Sequence, residues 1–506
     1  MKRRRTLDVI KKTFKDFSVN TSIHCMKYVV DDECSFWEKV FWAAVLCCVS
    51  WAALSLAVLH LKRYSQEPTW STIITEHAPV NIIPFPAVTI CNTNRILESK
   101  IDSFISKLEL EDGEEEFLKK ALPQLIGFIR SVKYNTTSLI RMKKILDRND
   151  YLHTDLILRK IGQTCKEMLI QCEWNGELTK CLDIFEESYT LDGLCCSYNY
   201  YGSRFSFKPN YTAYTGWKSG LTVTINPMLQ KVHHSSTYAT GVKVTIHNSL
   251  EFPGFETTSK VVSAGHTFMF QIAGTKLINS QDVKDLTIDQ RQCVYAAERP
   301  LEHHNYYYIS NCMAELHAKN FEDVCGCVPF YYAFSTKPKC NITKIPCIQR
   351  YRKDYGKALN HMACPARCES ILYRVYTAYS SLNNVSLALS EENERKVPVK
   401  SGIRVNIFFI GTHTLLSRTV YTSPLQLLSS IGGIYGLYLG CSFITILEII
   451  YYCTLRFLVN LGWLGRTRMR DKGKWNHCSR EFQTDRKGKE IHVIKWNVNS
   501  LYSHEY

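Results

Sequence analysis

Two long stretches of the chain lack Asp, Glu, Lys and Arg, whereas charged and apolar residues are interspersed over most of the remainder. The first stretch is residues 40–61, and the second is residues 419–447, beyond which only Glu448 interrupts an apolar run to residue 455. A helix of the first length covers about 33 Å, which is enough to cross the hydrocarbon core of a bilayer. The pattern therefore predicts two transmembrane helices, at residues 40–61 and 424–455.

A cleaved signal peptide is the alternative interpretation of the first apolar stretch. The stretch begins about forty residues into the chain, is longer than the apolar core of a usual signal peptide, and lacks a small-x-small cleavage site. We therefore interpret residues 40–61 as a permanent membrane anchor.

The segment between the two stretches has both helical and strand patterns. Apolar residues recur at helical spacing in residues 101–132 and 147–172, with Pro123 starting or interrupting a helix in the first of these. Four short β-branched runs, bounded by Gly, Pro or Asn, predict strands: residues 221–226, 242–247, 266–272 and 403–410. We expect one sheet that contains all four, the last of which leads almost directly into the second span. The predicted fold class is a membrane protein of mixed α+β structure.

Cysteines and glycosylation sequons indicate that this central segment is extracellular. Of the 21 cysteines, an even number lie between the spans, as expected for disulfide bonds in an oxidising compartment. They are Cys91, Cys165, Cys172, Cys181, Cys195, Cys196, Cys293, Cys312, Cys325, Cys327, Cys340, Cys347, Cys364 and Cys368. The same segment holds sequons at Asn135, Asn210, Asn341 and Asn384.

The charge distribution agrees with this orientation. Basic residues exceed acidic ones in both tails, most densely at residues 2–5 and 466–474, as is typical of cytoplasmic flanks. The net charge of +15 is therefore not a nucleic-acid signature. The predicted protein is a multi-pass protein of the plasma membrane with both termini cytoplasmic. Its predicted parts are a cytoplasmic tail at 1–39, a helix at 40–61, an extracellular cysteine-rich domain at 62–423, a helix at 424–455 and a second cytoplasmic tail at 456–506.

No enzymatic or metal-binding motif is present in the sequence. There is no HExxH, no GxSxG and no phosphate-binding glycine loop, so we predict neither enzymatic activity nor a cofactor. The Cys325-x-Cys327 pair could instead hold zinc, but Cys340 and Cys347 are natural disulfide partners in an extracellular segment. We therefore expect disulfide bonds here and no metal site.

The second span contains small and ionisable residues that a simple anchor does not need. Ser429, Gly432, Gly433, Gly436 and Gly440 are spaced to lie along one helical face, with Ser442 just beyond it. Close helix packing through a small-xxx-small series is the alternative explanation. Glu448, however, is costly inside a membrane unless it faces water or a partner. We interpret this face as one wall of a narrow wet path, which requires several copies of the chain around an axis.

Four motifs stand out along the chain: residues 431–448 in the second span, residues 85–92 (FPAVTICN), residues 325–331 (CGCVPFY) and the pair Cys195-Cys196. Together they resemble the epithelial sodium channel, degenerin and acid-sensing channel family, and most of all its insect pickpocket branch. Residues 431–448 resemble that family's second span, and residues 85–92 (FPAVTICN) resemble its segment after the first span. Residues 325–331 (CGCVPFY) resemble its cysteine-rich core, and Cys195-Cys196 is similar to the pickpocket branch.

The resemblance implies a trimer and a role for each pore residue. Each chain would contribute two membrane helices and an extracellular domain built round a β-sheet. Residues matching known positions are the selectivity filter Gly440, Cys441 and Ser442, the amiloride position Gly436, and the degenerin position Ser429. The family's cytoplasmic His-Gly gating motif is His24-Cys25 in this chain, so the conformational freedom of the glycine is missing. His24 could also be an ordinary loop histidine.

The resemblance also implies a disulfide pattern. It assigns Cys293 to Cys368, Cys312 to Cys364, Cys325 to Cys347, Cys327 to Cys340, and Cys172 to Cys181. Cys91 and Cys165 would share Cys195 and Cys196 in an order that remains open. One further disulfide bond of the family is absent from this chain. Both of its cysteines are replaced, one by Leu316 and the other by Met362.

We predict a subunit of a ligand- or mechanically gated, amiloride-sensitive, sodium-permeable channel that forms homo- or heterotrimers in a lipid bilayer. The sequence does not identify the extracellular stimulus. Two alternatives stay open: a regulatory subunit that conducts nothing alone, and a two-span scavenger-type receptor that binds extracellular cargo.

Overall fold

The computed structural model describes residues 2–202, 208–229, 239–254, 257–358, 364–382, 401–460, 483–484 and 490–491. The chain forms two compact units, one from Met1–Lys62 with Pro424–Tyr506 and the other from Arg63–Ser423. Two helical stretches in the described ranges are long and apolar enough to cross a membrane, Phe36–Gln66 and Phe443–Asn460.

The helices occur in both units. They are α1 Lys2–Asn20, α2 Met26–Val30, α3 Phe36–Gln66, α4 Glu98–Ile105, α5 Glu114–Ala121, α6 Thr136–Arg148, α7 Thr154–Ile161, α8 Cys165–Met168, α9 Cys181–Ile184, α10 Gln281–Lys284, α11 Ile288–Arg291, α12 Ile309–Cys325, α13 Ile345–Ala358, α14 Pro424–Leu439, α15 Phe443–Tyr451 and α16 Phe457–Asn460. Three 3-10 turns, Val80–Ile82, Leu122–Phe128 and Ile342–Lys344, and a π-helical turn at Tyr452–Arg456 complete the helical elements of the described ranges.

The strands of the Arg63–Ser423 unit form two sheets. They are β1 Thr69–Ala78, β2 Ala87–Asn92, β3 Leu169–Trp174, β4 Glu177–Thr179, β5 Phe185–Thr190, β6 Gly193–Tyr198, β7 Leu221–Ile225, β8 Val242–His247, β9 Thr258–Val262, β10 His266–Asn279, β11 Ser370–Ser381, β12 Ile403–Phe409 and β13 His413–Val420. A further short pair, β14 Gln483–Thr484 and β15 Glu490–Ile491, lies near the C-terminus.

The larger sheet is organised round β10, which has neighbours along both edges. β11 pairs with one edge in antiparallel register, from His266↔Ser381 to Leu277↔Ser370. On the other edge, β12 runs parallel to the first half of β10, and β13 runs parallel to the second half. β7, β3 and β4 extend the sheet beyond β12, while β1 extends it beyond β13. The predicted strand at 266–272 is confirmed and continues to Asn279.

The predictions of a strand at 221–226, 242–247 and 403–410 are also confirmed, but the expectation of one sheet is wrong. β8 belongs to a separate five-stranded sheet of order β5-β6-β2-β8-β9. It pairs with β2 from Ala87↔His247 to Asn92↔Val242. A strand's own alternation indicates which face is buried but carries no information about its partner, so this assignment lies in the tertiary structure.

Aromatic side chains join the two sheets in one core. Phe85 is fully buried, and its ring centre lies 4.9 Å from that of Trp174 and 5.6 Å from that of Phe409, both on the larger-sheet side. It also lies 6.1 Å from the ring of Tyr198 on β6 of the smaller sheet. These edge-to-face contacts add specificity to the burial of apolar area.

A second core lies among the helices α4–α7, α12 and α13. The predicted helical segment 101–132 is divided into α4, α5 and a 3-10 turn, with Gly113 at φ +78° before α5 and Pro123 in the first turn of the 3-10 segment. The helical prediction for 147–172 is correct only in part, because Leu169–Trp174 forms β3. Pairing of β3 with both β4 and β7 overrides the local helical pattern there.

Seven disulfide bonds lie in this unit. They join Cys91 to Cys195, Cys165 to Cys196, Cys172 to Cys181, Cys293 to Cys368, Cys312 to Cys364, Cys325 to Cys347, and Cys327 to Cys340. Five are the pairs that the resemblance implies, and the other two give the order of bonding that the sequence leaves open. Cys325 and Cys327, the alternative zinc ligands, are therefore bonded to other cysteines.

The two ends of this unit lie side by side. β1 and β13 are antiparallel and pair from Thr69↔Val420 onwards, and the backbone N–H of Tyr421 donates to the carbonyl of Pro68 at 2.8 Å. The expectation that the 403–410 strand leads almost directly into the second span needs correction, because β13 lies between them. A complete strand, β13, continues the chain along the second half of β10 before α14 begins.

We expect Gly220→Ala to destabilise this unit far more than Gly216→Ala. Both glycines have left-handed φ values, +89° and +93°, but an added Cβ lies 2.3 Å from the Ile407 carbonyl oxygen at Gly220 and meets no atom within 4 Å at Gly216. The backbone strain alone costs about 1–2 kcal/mol, and displacing a paired strand raises the cost at Gly220 to above about 3 kcal/mol. The melting temperatures of the purified variants test this. Equal values would show that β12 moves away from the added Cβ at little cost in free energy.

Candidate functional site

The predicted filter residues coincide with a break in the second span. α14 ends at Leu439 and α15 begins at Phe443, so Gly440, Cys441 and Ser442 lie between two helices. Gly440 has φ +67°, a left-handed conformation with which glycine commonly ends a helix. Ser442 then caps α15, because its backbone N–H donates to Thr445 Oγ1 at 3.0 Å. The sequence thus ends one helix and starts another within three residues.

An N-terminal segment lies against this break. The backbone N–H of His24 donates to the carbonyl oxygen of Leu439 at 2.8 Å. The imidazole lies so close to Gly440 that an added Cβ would be 2.7 Å from its Cε1 and Nε2 atoms. The last carbonyls of a helix have no partner within that helix, and inside a membrane they need a donor from elsewhere in the protein. The chain supplies that donor from the segment between α1 and α2.

Hydroxyl groups extend this contact along α15. Ser22 Oγ lies 2.6 Å from Oγ1 of Thr445, whose side chain is buried. Thr21 Oγ1 donates to Glu448 Oε2 at 3.4 Å, and the backbone N–H of Ser22 approaches the same oxygen at 3.5 Å. Glu448 therefore has polar neighbours, as an ionisable group within a membrane span requires.

Helix α1 continues the contact towards the end of the span. Thr13 Oγ1 accepts a hydrogen bond from Asn460 Nδ2 at 2.8 Å, and Asp16 pairs with Arg456 at 3.2 Å. Sequence reasoning identified His24 but missed this whole surface. The signal was present in the apolar positions of α1, where Ile10, Phe14 and Phe17 share one face between lysines.

The glycine face of α14 is open in the single chain. An added Cβ at Gly432 or Gly433 would meet no atom within 4 Å, and Ser429 is exposed on the same face. At Gly436 the nearest such atom is the carbonyl oxygen of Cys441, at 3.7 Å. The structure therefore brings Gly436 next to the predicted filter, whereas Ser429 lies about three turns before it.

The predicted glycosylation sites differ in their surroundings. Asn135 is exposed and caps α6 through its side-chain oxygen. Asn341 is half-buried and caps a 3-10 turn, while the amide nitrogen of Asn210 donates to the Tyr198 hydroxyl at 2.9 Å. Asn384 lies outside the described residues. Within those residues, no group of three or more His, Cys, Asp and Glu side chains is placed to hold a metal ion.

A cysteine cross-link tests the contact between the N-terminal segment and α15. Ser22→Cys with Thr445→Cys, in a background where Cys25, Cys34, Cys47, Cys48, Cys441, Cys453 and Cys478 are serine, should form a disulfide bond under mild oxidation, because the native hydroxyl oxygens are 2.6 Å apart. Mass spectrometry of the digested protein detects the linked peptides. Ser22→Cys with Ile444→Cys is the matched control, since Ile444 is exposed on another face. Equal linkage in both pairs would contradict the contact.

Comparisons with known proteins agree on one family. The family described as "Amiloride-sensitive sodium channel" matches residues 17–452. The chain is 26% identical over 477 residues to the "Sodium channel protein Nach" of Drosophila ananassae, which covers 92% of this chain and 91% of that protein. It is 23% identical over 499 residues to "Pickpocket protein 28" of Drosophila melanogaster, covering 88% and 79% of the two chains.

A vertebrate relative extends the agreement beyond insects. The human "Bile acid-sensitive ion channel" is 23% identical over 460 residues, covering 88% of this chain and 86% of that protein. Members of the matched family are ion channels and not enzymes. The match includes the interrupted second span, the His24 segment and the disulfide-rich unit, and it confirms the family resemblance seen in the sequence. The chain belongs to the amiloride-sensitive sodium channel family.

Proposed function

We propose that this chain is a pore-forming subunit of a trimeric, sodium-selective channel that amiloride blocks. Gly440, Cys441 and Ser442 form the selectivity filter, Gly436 contributes to the amiloride site, and Ser429 lies at the gate. The proposal goes beyond the family assignment, which by itself supports a cation channel that assembles from several subunits. Membership of a channel family also removes the support for a scavenger-type receptor.

The interrupted second span is the observation that carries the proposal. An unwound segment within a membrane is tolerated only where protein or a water-filled cavity surrounds it. Between α14 and α15 it presents backbone carbonyls and the Ser442 hydroxyl, which are oxygen ligands suited to a hard cation. One chain offers only one such wall, and the open glycine face at Gly432 and Gly433 allows further copies to approach closely.

The strand pair β1–β13 supports gating from outside the cell. β13 ends at Val420 and α14 begins at Pro424, while α3 ends at Gln66 and β1 begins at Thr69. Both covalent connections to the membrane helices thus start from one pair of adjacent strands. A ligand or a mechanical load that moves this sheet would act on both spans through short lengths of chain.

We propose the plasma membrane as the location, with both termini in the cytoplasm. The disulfide bonds of the described residues lie in the Arg63–Ser423 unit, and an oxidising exterior favours such bonds. The basic residues of both tails favour the cytoplasmic side.

A non-conducting regulatory subunit is the second candidate function, and Cys25 favours it. Cys25 has φ +64°, in the left-handed region that a glycine adopts without strain, and it immediately follows the residue that covers the filter. Backbone strain at Cys25 would favour one state of the pore. If that state is the closed one, Cys25→Gly should increase the current of the chain expressed alone.

Substitution of Ser429 tests the proposal without knowledge of the stimulus. Ser429→Tyr expressed alone should give a constitutive current that favours sodium over potassium and is blocked by amiloride, because bulk at this position hinders closure. Voltage clamp in the two cations, with and without amiloride, measures it. Ser430→Tyr is the matched control, since Ser430 is half-buried on another face of α14. Silence of Ser429→Tyr at the cell surface would contradict independent conduction and favour the regulatory subunit.

Cys441 offers a test of the filter register. Three thiols near the constriction should make the open pore sensitive to cadmium, a soft cation that prefers thiolate ligands. In the Ser429→Tyr background, Cys441→Ala should raise the blocking concentration at least roughly tenfold, which corresponds to about 1.4 kcal/mol. Cys453→Ala, which removes an exposed thiol beyond α15, should leave block unchanged. Unchanged block after Cys441→Ala would place the thiols away from the ion path.

A further inference from the structure

A cavity of about 140 Å³ lies between the five-stranded sheet and the helical layer of the Arg63–Ser423 unit. The sheet contributes Thr89 and Lys243, and the helical layer contributes Phe321 from α12 and Arg352 from α13. Its size approaches the roughly 150 Å³ of an engineered protein cavity that binds benzene. The cavity therefore has room for a six-membered ring or an aliphatic body of similar volume.

Positive charge exceeds negative charge around this cavity. Asp192 is the one acidic residue among its lining residues, whereas Lys243 and Arg352 are both cationic. The Asp192 carboxylate is already shared, because Lys243 Nζ lies 2.6 Å from one oxygen and Arg95 Nη2 lies 3.2 Å from the other. Burial raises the pKa of Asp192, but the charges of Arg95 and Lys243 outweigh it and hold that pKa below its usual value. Asp192 therefore stays ionised, and each of its carboxylate oxygens is paired with a cation.

Arg352 brings a cation that no carboxylate of the described residues neutralises. Its guanidinium donates to the backbone carbonyls of Gly127 and Phe128 and lies 3.1 Å from the Tyr331 hydroxyl. Carbonyl and phenol groups satisfy hydrogen bonds but cancel no charge. A half-buried cation in this position favours an anion from solution, since charge interactions strengthen where water is partly excluded.

The remaining walls suit an apolar body. Phe321, Tyr331 and Tyr332 are buried and line the same cavity. Aromatic rings pack edge-to-face or offset against another ring and add to the gain from apolar burial. A bare inorganic anion would leave these walls without contacts, whereas a hydrocarbon body would cover them.

We propose that this cavity binds a small organic carboxylate whose apolar body is about the size of a benzene ring. The carboxylate lies at the Lys243 and Arg352 end, and the apolar body packs against Phe321 and Tyr332. A bound molecule would touch both the sheet and the helical layer and so would fix their separation. The proposal concerns binding alone and does not depend on whether the chain conducts.

Benzoate is the probe, added to the purified full-length chain in detergent micelles. Saturation-transfer NMR and the shift in melting temperature report binding, with benzamide as the neutral analogue of the same shape and sulfate as the inorganic anion. We expect benzoate to bind and to raise the melting temperature. Benzamide should bind at least roughly tenfold more weakly, since it lacks the charge-assisted hydrogen bond that accounts for that factor. Sulfate should also bind at least roughly tenfold more weakly, since it lacks an apolar body to cover the aromatic walls.

Two variants with opposite expected effects on benzoate affinity distinguish a change in binding from damage to the fold. Lys243→Gln should weaken benzoate roughly tenfold, whereas Asp192→Asn should tighten it, because it removes the competing carboxylate; a misfolded protein cannot bind more tightly. Lys144→Gln on α6, which removes an exposed lysine of equal charge, should leave affinity unchanged. Equal binding of benzamide would overturn the anionic part of the proposal, equal binding of sulfate would overturn the organic part, and no benzoate binding would overturn both.

Discussion

A helix that stops inside a membrane leaves backbone carbonyls that neither lipid nor the helix itself can satisfy. The second span does this at Leu439, and the N-terminal segment between α1 and α2 lies against that gap. The His24 N–H donates to Leu439, Gly440 makes room for the imidazole, and Ser22 and Thr445 join the two segments by their hydroxyls. The cost of an unpaired polar group in hydrocarbon thus explains why the N-terminal segment lies against the break in the second span.

The Arg63–Ser423 unit meets a different requirement, because it connects parts of the chain that are far apart in sequence. β10 has paired strands on both edges, so it presents little free backbone, and β1 and β13 hold the ends of the unit together. The disulfide bonds restrict the unfolded chain further, with about 2–4 kcal/mol expected for each. A sheet held in this way deforms little, so a displacement of one part of it is transmitted to its ends.

The ionisable side chains of the two units have different kinds of partners. In the membrane unit, Glu448 has hydroxyl and N–H neighbours close to the break in the second span. In the Arg63–Ser423 unit, Asp192 is paired with both Arg95 and Lys243, and Arg352 adds a cation whose guanidinium donates to backbone carbonyls. The first arrangement gives a carboxyl group polar neighbours beside the break in the second span, and the second leaves positive charge beside a cavity. Both depend on residues that are far apart in sequence, and only the fold brings them together.

The sequence by itself determined the two apolar spans, the cysteine-rich segment between them and the positions of β7, β8, β10 and β12, because hydropathy and alternation are local properties. It also contains the signals for the break in the second span, since Gly440 and Ser442 end and start helices through their own backbone and side-chain preferences. Only the tertiary structure decided that β8 joins a second sheet, that Cys91 bonds Cys195, and that α1 packs along the second span. Partner choice depends on contacts between distant residues, and a single sequence contains no local signal for them.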